Sequence, residues 1–447
     1  MTATAILPFE SATGPMPDAG RSEALVSPSS PRRPRIALYS HDTMGLGHVR
    51  RNALVAEAIA RSVDWEIDVL LISGAREAHA TRLPRGFDSL TLPALRKHAD
   101  GSYGARSLRL PLPALIALRS ETVRAALVAY EPDLLVVDNV PRGAVGELSA
   151  TLEALSRRGR TRLVLGLRDI GDDAAVTRLE WERSDHARAI ARYYDQVWIY
   201  GDPSVYDRAR LDGLSPALDG KIRFAGYLDQ RARAENAGAD FAAFAREHVP
   251  TLDPHRPFAL CLVGGGQDGA RLAEAFADAE FGAGRHGVVV AGPFCPAGAL
   301  ARLRARASAR GDLHVVDAVG EPAPLVAGAE CVVSMGGYNS MCEIASYGKR
   351  ALVVPRTHPR VEQRLRAERF RAIGAIDAVL LPDELDAAAL SRWMCAPIDG
   401  VPTERAKLDL GGLARVAELA RELLASTAPS RSPFAFAPGP APVGGGH

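Results

Sequence analysis

The feature that most restricts the fold of this chain is a unit that recurs along it: a short apolar run, a loop, then an amphipathic stretch long enough for a helix. Apolar runs at residues 35–40, 67–73, 133–138, 162–167, 196–200 and 222–224 form one series. The pattern lapses after Ala225 and restarts at 258–263, continuing through 288–290, 313–316, 331–333 and 351–354. Continuous apolar runs, as opposed to alternation, mark strands covered on both faces, and helices between them imply parallel pairing. Two such series in 447 residues exceed one core. The expected fold is therefore α/β, with two doubly wound Rossmann-like domains facing across a cleft and ligand groups on the loops after the strand ends.

The implied organisation is a disordered tail over 1–33, rich in Pro, Ser, Ala and Gly, then a first domain over 34–226. A linker with a lone helix follows over 227–256. A second domain with a closing helix (404–424) spans 257–427, and a Pro/Gly tail fills 428–447. The apolar fraction of 47% and the charged fraction of 24% are those of a soluble globular protein. A net charge of +1 gives no basic field for nucleic acid. Lysine occurs four times and arginine 50 times, a skew read here as genomic base composition, together with the many alanines. The five cysteines are widely spaced and include no CxxC pair, so zinc and thioredoxin-like sites are not indicated and a reducing cytoplasm fits. Cys261 and Cys331 lie within apolar runs as core residues. No run approaches the ~18 residues of a membrane span, and the first residues do not read as a secretory signal.

Three loops carry glycines between a strand and a helix. In the stretch from Ser334 to Gln363, Gly336 and Gly337 allow a tight turn, and Asn339 or Ser340 is expected to cap the helix that follows. Such a helix start presents free N–H groups and a partial positive charge to a phosphate. Glu343, one turn further on, is placed to reach hydroxyls on whatever bears that phosphate. A second loop, Gly264-x-Gly266-x-x-Gly269, fits a dinucleotide fingerprint only in part. The acidic residue such a site needs about 20 residues on would be Asp278 or Glu280, inside a helix, so a nicotinamide or flavin is not indicated. The first loop contains Gly45 and Gly47 and ends at His48, where a helix start favours a neutral imidazole able to take a proton. His41 is a second candidate that reads more simply as a strand-end residue.

Together these motifs resemble the nucleotide-sugar domain of MurG-type glycosyltransferases (family 28), nearest a branch of predicted glycosyltransferases. The residues that carry the likeness are Val263 to Ala270, Gly336 to Glu343, and the spacing Pro355…His358…Gln363. It covers roughly residues 258–375 well and 35–59 more loosely. The resemblance implies a GT-B fold and an inverting transfer of a sugar from a nucleoside diphosphate, UDP above all, to a hydroxyl acceptor. It further implies that backbone near Val319 meets the base and Glu343 the ribose. Gly337, Tyr338, Asn339 and Ser340, with Gly336, would hold the diphosphate, which Gly265, Gly266 and Gln267 approach. Glu362 and Gln363 would meet the sugar. There is no Asp-x-Asp motif, so no metal or other cofactor is called for; the helix start would stabilise the leaving diphosphate. Two positions depart from the pattern: Thr43 and Met44 stand where the family has further glycines, and Glu362 replaces the first of two glutamines.

On the acceptor side, Gly45, Gly47, Asp138, Arg168 and Asp169 should border the cleft. Asp138 and Arg168-Asp169 suit turn or cap roles as well as acceptor contacts, and Asp169 is an alternative partner of His48 or an alternative base. Arg231 is a candidate phosphate contact. Arg106 and Arg109 alternate with Leu108, Leu110 and Leu112, which fits a packed loop and helix or a membrane-surface patch beside a lipid-linked acceptor. The acceptor is otherwise open, a small glycoconjugate included. A cytoplasmic location, free or peripheral at the inner face of the membrane, is expected. Two rival readings are a UDP-sugar epimerase or hydrolase, and a non-catalytic nucleotide-sugar-binding regulatory protein.

Overall fold

The computed structural model describes residues 32–42, 47–63, 66–75, 83–98, 102–214, 216–231, 241–397 and 408–426. Residues 1–31 of the first expected tail, the whole of the second, Gly45 with Thr43 and Met44, and much of the linker lie outside them.

The first apolar series forms a seven-stranded parallel sheet. Its strands are β1 (Arg35–Ser40), β2 (Asp68–Ser73), β3 (Phe87–Thr91), β6 (Leu134–Asp138), β7 (Arg162–Arg168), β8 (Gln196–Tyr200) and β9 (Ile222–Phe224). Their spatial order is β3-β2-β1-β6-β7-β8-β9. A small antiparallel pair, β4 (Leu95–Lys97) and β5 (Tyr103–Ala105), lies apart from it. The second series forms a six-stranded parallel sheet in the order β12-β11-β10-β13-β14-β15. Its members are β10 (Phe258–Leu262), β11 (His286–Val290), β12 (Leu313–Val316), β13 (Cys331–Ser334), β14 (Arg350–Val353) and β15 (Ala378–Val379). Each sheet reverses direction once, between β1 and β6 and between β10 and β13. Those are the topological switch points, where a crevice opens beyond the strand carboxyl ends. His48, Asp138, the Gly264 loop and the Gly336 turn all lie there.

Alternation along β1 assigns its residues to two cores. Ala37 and Tyr39 face an outer cluster with Val123, Leu127, Leu152 and Leu155 from the helices Leu112–Tyr130 and Ser149–Arg158. Ile36 and Leu38 face a cluster that runs without a break into the second half, through Leu260, Leu262, Val332 and Phe370. Cys261 and Cys331 are buried in the outer core of the second sheet, as their apolar runs predict. The closing helix, Gly412–Ala425, was grouped with the second domain by sequence but packs along Gly47–Arg61 of the first. It is tied there by Tyr227 N–H to Asp409 O (2.7 Å) and Gly412 N–H to Tyr227 O (3.1 Å). Trp198 is fully buried in the shared core.

Gly166 sits mid-strand in β7 because the Tyr200 ring lies over it: a Cβ there would meet Tyr200 Oη at 2.5 Å and its ring carbons at 3.0 Å. That ring lies over Gly166, the register partner of Asp138. Gly166→Ala is expected to cost about 1–3 kcal/mol in urea unfolding by overpacking. Adding Tyr200→Phe should recover part of the loss by removing the nearest atom; a Gly166→Ala protein as stable as the wild type would show that the ring is not held in place.

Candidate active site

At the first switch point, β1 ends in Ser40, and His41 and Asp42 follow it. Asp42 is buried and accepts hydrogen bonds from the hydroxyls of Ser40 and Ser73 (2.8 Å for Ser73) and from Val49 N–H (3.3 Å). It thereby fixes the start of the helix Gly47–Arg61, whose second residue is His48. His41 lies behind, its ring 5.4 Å from that of His48, in keeping with a strand-end role.

His48 Nδ1 lies 2.5 Å from Oδ2 of Asp138, the last residue of β6. Arg51, one turn along the same helix, donates from Nη2 to both Asp138 oxygens (2.6 and 2.7 Å) and lies 3.0 Å from His48 Nδ1. Nδ1 cannot both donate to the carboxylate and accept from the guanidinium. The carboxylate can only accept, and Arg51 Nη2 already donates to it, so the proton belongs on Nδ1. Nε2 is then a free lone pair facing away from the pair. Burial alone would raise the Asp138 carboxyl, but the Arg51 charge and the hydrogen bonds from Arg51 and His48 hold it well below the ordinary carboxylate range. Asp138 is thus the partner of His48. The alternative that Asp169 orients His48 is overturned: Asp169 accepts from Arg366 Nε (3.1 and 2.9 Å) and Nη2 (2.7 Å), and both residues are buried.

The second switch point faces the first. Gly336, at φ 76°, turns the chain after β13, and the helix Tyr338–Ser346 follows, its N-cap Gly337 lacking a side-chain cap. The expected cap by Asn339 or Ser340 is therefore not formed. Both residues fall inside the first turn, and Asn339 Nδ2 donates instead to Gly47 O (3.0 Å) on the opposite helix. Two helix starts, one bearing His48 and one bearing free N–H groups, are brought together by that bond. Tyr338 is buried between two guanidiniums, 5.5 Å from Arg51 and 5.8 Å from Arg366, so its side chain serves packing. Glu343 is buried and accepts from Arg50 Nη2 (3.1 Å), which also donates to Glu321 (3.0 Å). The expected ribose carboxylate thus already meets a cation from the other sheet.

In the second glycine loop, a Cβ on Gly266 would meet Ala291 O at 2.2 Å, so this glycine is required by the neighbouring loop. Gly265 O accepts from Phe294 N–H (2.8 Å), and Gln267 is exposed. Arg356 joins this loop to the helix Glu362–Ala372: Nη1 donates to Asp268 (2.9 Å), Nη2 to Glu362 (2.7 Å), and its N–H to Gln363 Oε1 (2.9 Å). Val319 lies in the loop after β12, partly buried against the shared core. Arg168 ends β7 beside Asp169. Arg231 is exposed and paired with Asp229, and Asp278 is an exposed partner of Arg306.

Sequence reasoning did not single out Arg50, Arg51, Arg356 or Arg366. One signal was present: adjacent arginines follow His48 in the first turn of a helix, where the dipole disfavours cations unless carboxylates wait opposite. Among the described residues no group of three or more His, Cys, Asp or Glu is placed to hold a metal ion, and no helix is long and apolar enough to cross a membrane.

Comparison with protein families gives no match, and neither does comparison with curated proteins. Solved structures do match. CalG4, the calicheamicin glycosyltransferase, is 18% identical with a TM-score of 0.54, covering 89% of this chain and 100% of its own. The UDP-GlcNAc 2-epimerase from Neisseria meningitidis, bound to UDP-GlcNAc, is 13% identical with a TM-score of 0.57, over 88% of this chain and 99% of its own. UGT2 of Phytolacca americana, complexed with UDP-2fluoro-glucose and pterostilbene, is 14% identical with a TM-score of 0.54, over 90% and 97%. At such identities the likeness is one of fold, and that fold is GT-B.

The Asp138 pair makes a pH prediction. Its carboxyl is depressed in the folded chain, so the stabilisation is complete above the unfolded value of about 3.9 and is lost as pH falls below it. Asp138→Asn, which leaves Arg51 buried without its counter-charge, should cost about 3–5 kcal/mol at pH 7. The gap from wild type should narrow as denaturant unfolding is repeated at falling pH below about 4. A gap constant with pH would mean that Asp138 is not held ionised.

Proposed function

We propose that this chain is a nucleotide-sugar-dependent glycosyltransferase that moves a sugar from a nucleoside diphosphate, UDP above all, to a hydroxyl acceptor with inversion. The observation that carries the reading is the Asn339–Gly47 contact, which sets the His48–Asp138 pair against the start of the helix Tyr338–Ser346. His48 Nε2 takes the proton of the acceptor hydroxyl as its oxygen attacks the anomeric carbon. The bond from that carbon to the phosphate oxygen breaks, and the diphosphate leaves with the electron pair. Asp138 stabilises the resulting imidazolium. The N–H groups following Gly337 meet the charge developing on the leaving group, the part that needs neither a metal nor another cofactor. Glu343 contacts the ribose, Glu362 and Gln363 the sugar, and backbone near Val319 the base. Within the GT-B fold the glycine motifs favour the MurG-type branch.

The fold is shared with UDP-GlcNAc 2-epimerases, and chemistry within the sugar ring would need carboxylates free to act as acid and base. Here Asp138, Asp169, Glu343 and Glu362 each sit in an ion pair with an arginine. That pairing supports transfer over epimerisation. Leu108, Leu110 and Leu118 are exposed, and nearby Arg106 stacks on Phe294 at 5.1 Å from the opposite sheet, an apolar rim suited to an acceptor with an apolar part, a lipid-linked one included.

His48→Ala should lower sugar transfer by about 10²–10⁴-fold while leaving UDP affinity unchanged in calorimetry. Glu343→Ala should weaken UDP binding by about 10- to 100-fold, the loss of a hydrogen bond to a charged group. Consumption of UDP-GlcNAc at full rate with no acceptor would favour epimerase or hydrolase chemistry, and a wild-type protein that binds no UDP would sink the reading altogether. Retention of the biological role by His48→Ala would favour a silent binder.

A further inference from the structure

Two buried arginines of the cleft are matched by carboxylates: Arg51 by Asp138 and Arg366 by Asp169. Arg168 is a third. It is the last residue of β7, and its carbonyl accepts from Arg208 Nη1 (2.5 Å), which fixes the main chain. The register pairs Arg168 with Tyr200 and Asp138 with Gly166, two residues back, so the three side chains leave the same face of the sheet. Its Nε is buried and has no hydrogen-bond partner among the described residues. The same holds for Arg51 Nε, Tyr200 Oη and Glu362 Oε2, all on residues lining this region. Buried polar groups are rarely left unmatched, so the donors Arg168 Nε, Arg51 Nε and Tyr200 Oη, orphaned together, mark a place for a missing acceptor, whereas Glu362 Oε2 is itself an acceptor. Burial, with the cations of Arg51 and Arg366 nearby, pulls the Arg168 guanidinium down to about 10, even with Glu362 and Asp138 opposing. Its surroundings are therefore short of negative charge. Arg168 is thus within electrostatic reach of Asp138 in the first half and of Glu362 in the second.

We propose that Arg168 is an anion-binding residue that holds a phosphate in the cleft between His48 and Glu362. Its planar fork suits two phosphate oxygens at once. The phosphate belongs either to the donor's diphosphate or to the acceptor, and the donor case rests on the functional reading above. Since Arg168 belongs to the first sheet and the donor helix to the second, a donor phosphate held here would bind both halves together.

Calorimetry on the full chain tests this with UDP, uridine and inorganic phosphate. If the source is the donor, Arg168→Gln lowers UDP affinity by about tenfold or more and leaves uridine unchanged. If it is the acceptor, UDP affinity is unchanged, and phosphate titrated into UDP-saturated protein binds the wild type but not Arg168→Gln. Arg168→Lys, which keeps the charge and loses the fork, should fall between the two and carries the comparison should Arg168→Gln fail to fold. The proposal is overturned if wild type and variants match for both UDP and phosphate, or if the wild type takes up neither. A wild type that binds phosphate but not UDP removes the functional reading alone, and the phosphate arm on ligand-free protein still decides Arg168.

Discussion

The buried ion pair between Asp169 and Arg366 is the contact on which the geometry of the cleft depends. Asp169 follows β7 in the first half and Arg366 lies on the helix Glu362–Ala372 in the second, and both are out of water. Taking two charges out of water is expensive, and the pair persists because its remaining groups are also satisfied. Arg366 donates further to Gly336 O (3.1 Å), and Asp169 accepts from Ile170 N–H (2.7 Å) and Tyr227 Oη (3.3 Å). One guanidinium therefore ties the end of β7 to the glycine turn that opens the helix Tyr338–Ser346. The facing of the two helix starts follows from that tie and from the continuous core beneath it.

A second layer of charge surrounds the pair. Arg50 reaches Glu343 and Glu321, Arg51 reaches Asp138, and Arg356 reaches Asp268 and Glu362. The arginine skew, read from composition as a genomic bias, is used here for connection. Arg50 and Arg356 each bridge two carboxylates, and Arg51 grips both oxygens of one, which an ammonium on a flexible stem does less well. Where the carboxylates outmatch burial, as at Arg51, the guanidinium is raised; where they are lacking, as at Arg168, it is lowered.

Much of the fold was legible because its information is local. Strands covered on both faces must be continuous apolar runs, and those runs gave β1, β6, β7, β8 and β10 to within a residue or two. The edge strand β3, the pair β4–β5 and the two-residue β15 were missed, since short or half-exposed strands carry no such run. The cap expected from Asn339 or Ser340 failed for a related reason. Propensity favours such residues at a helix start, but a partner on the opposite helix, Gly47 O, took Asn339 instead.

The sequence by itself determined the two parallel sheets, their loops at the strand ends, and His48 at a helix start, because periodicity and glycine placement act over a few residues. It left Asp138 as one of several polar residues at a strand end. Only the tertiary structure decided that Asp138 serves His48 while Asp169 serves Arg366, and that Glu343 meets Arg50. Those choices hang on distances between strand ends brought together by the order of strands in space, with chain separations such as the 197 residues between Asp169 and Arg366. No local pattern encodes which carboxylate a buried arginine will reach; the shared core and the cost of leaving any one of them unpaired do.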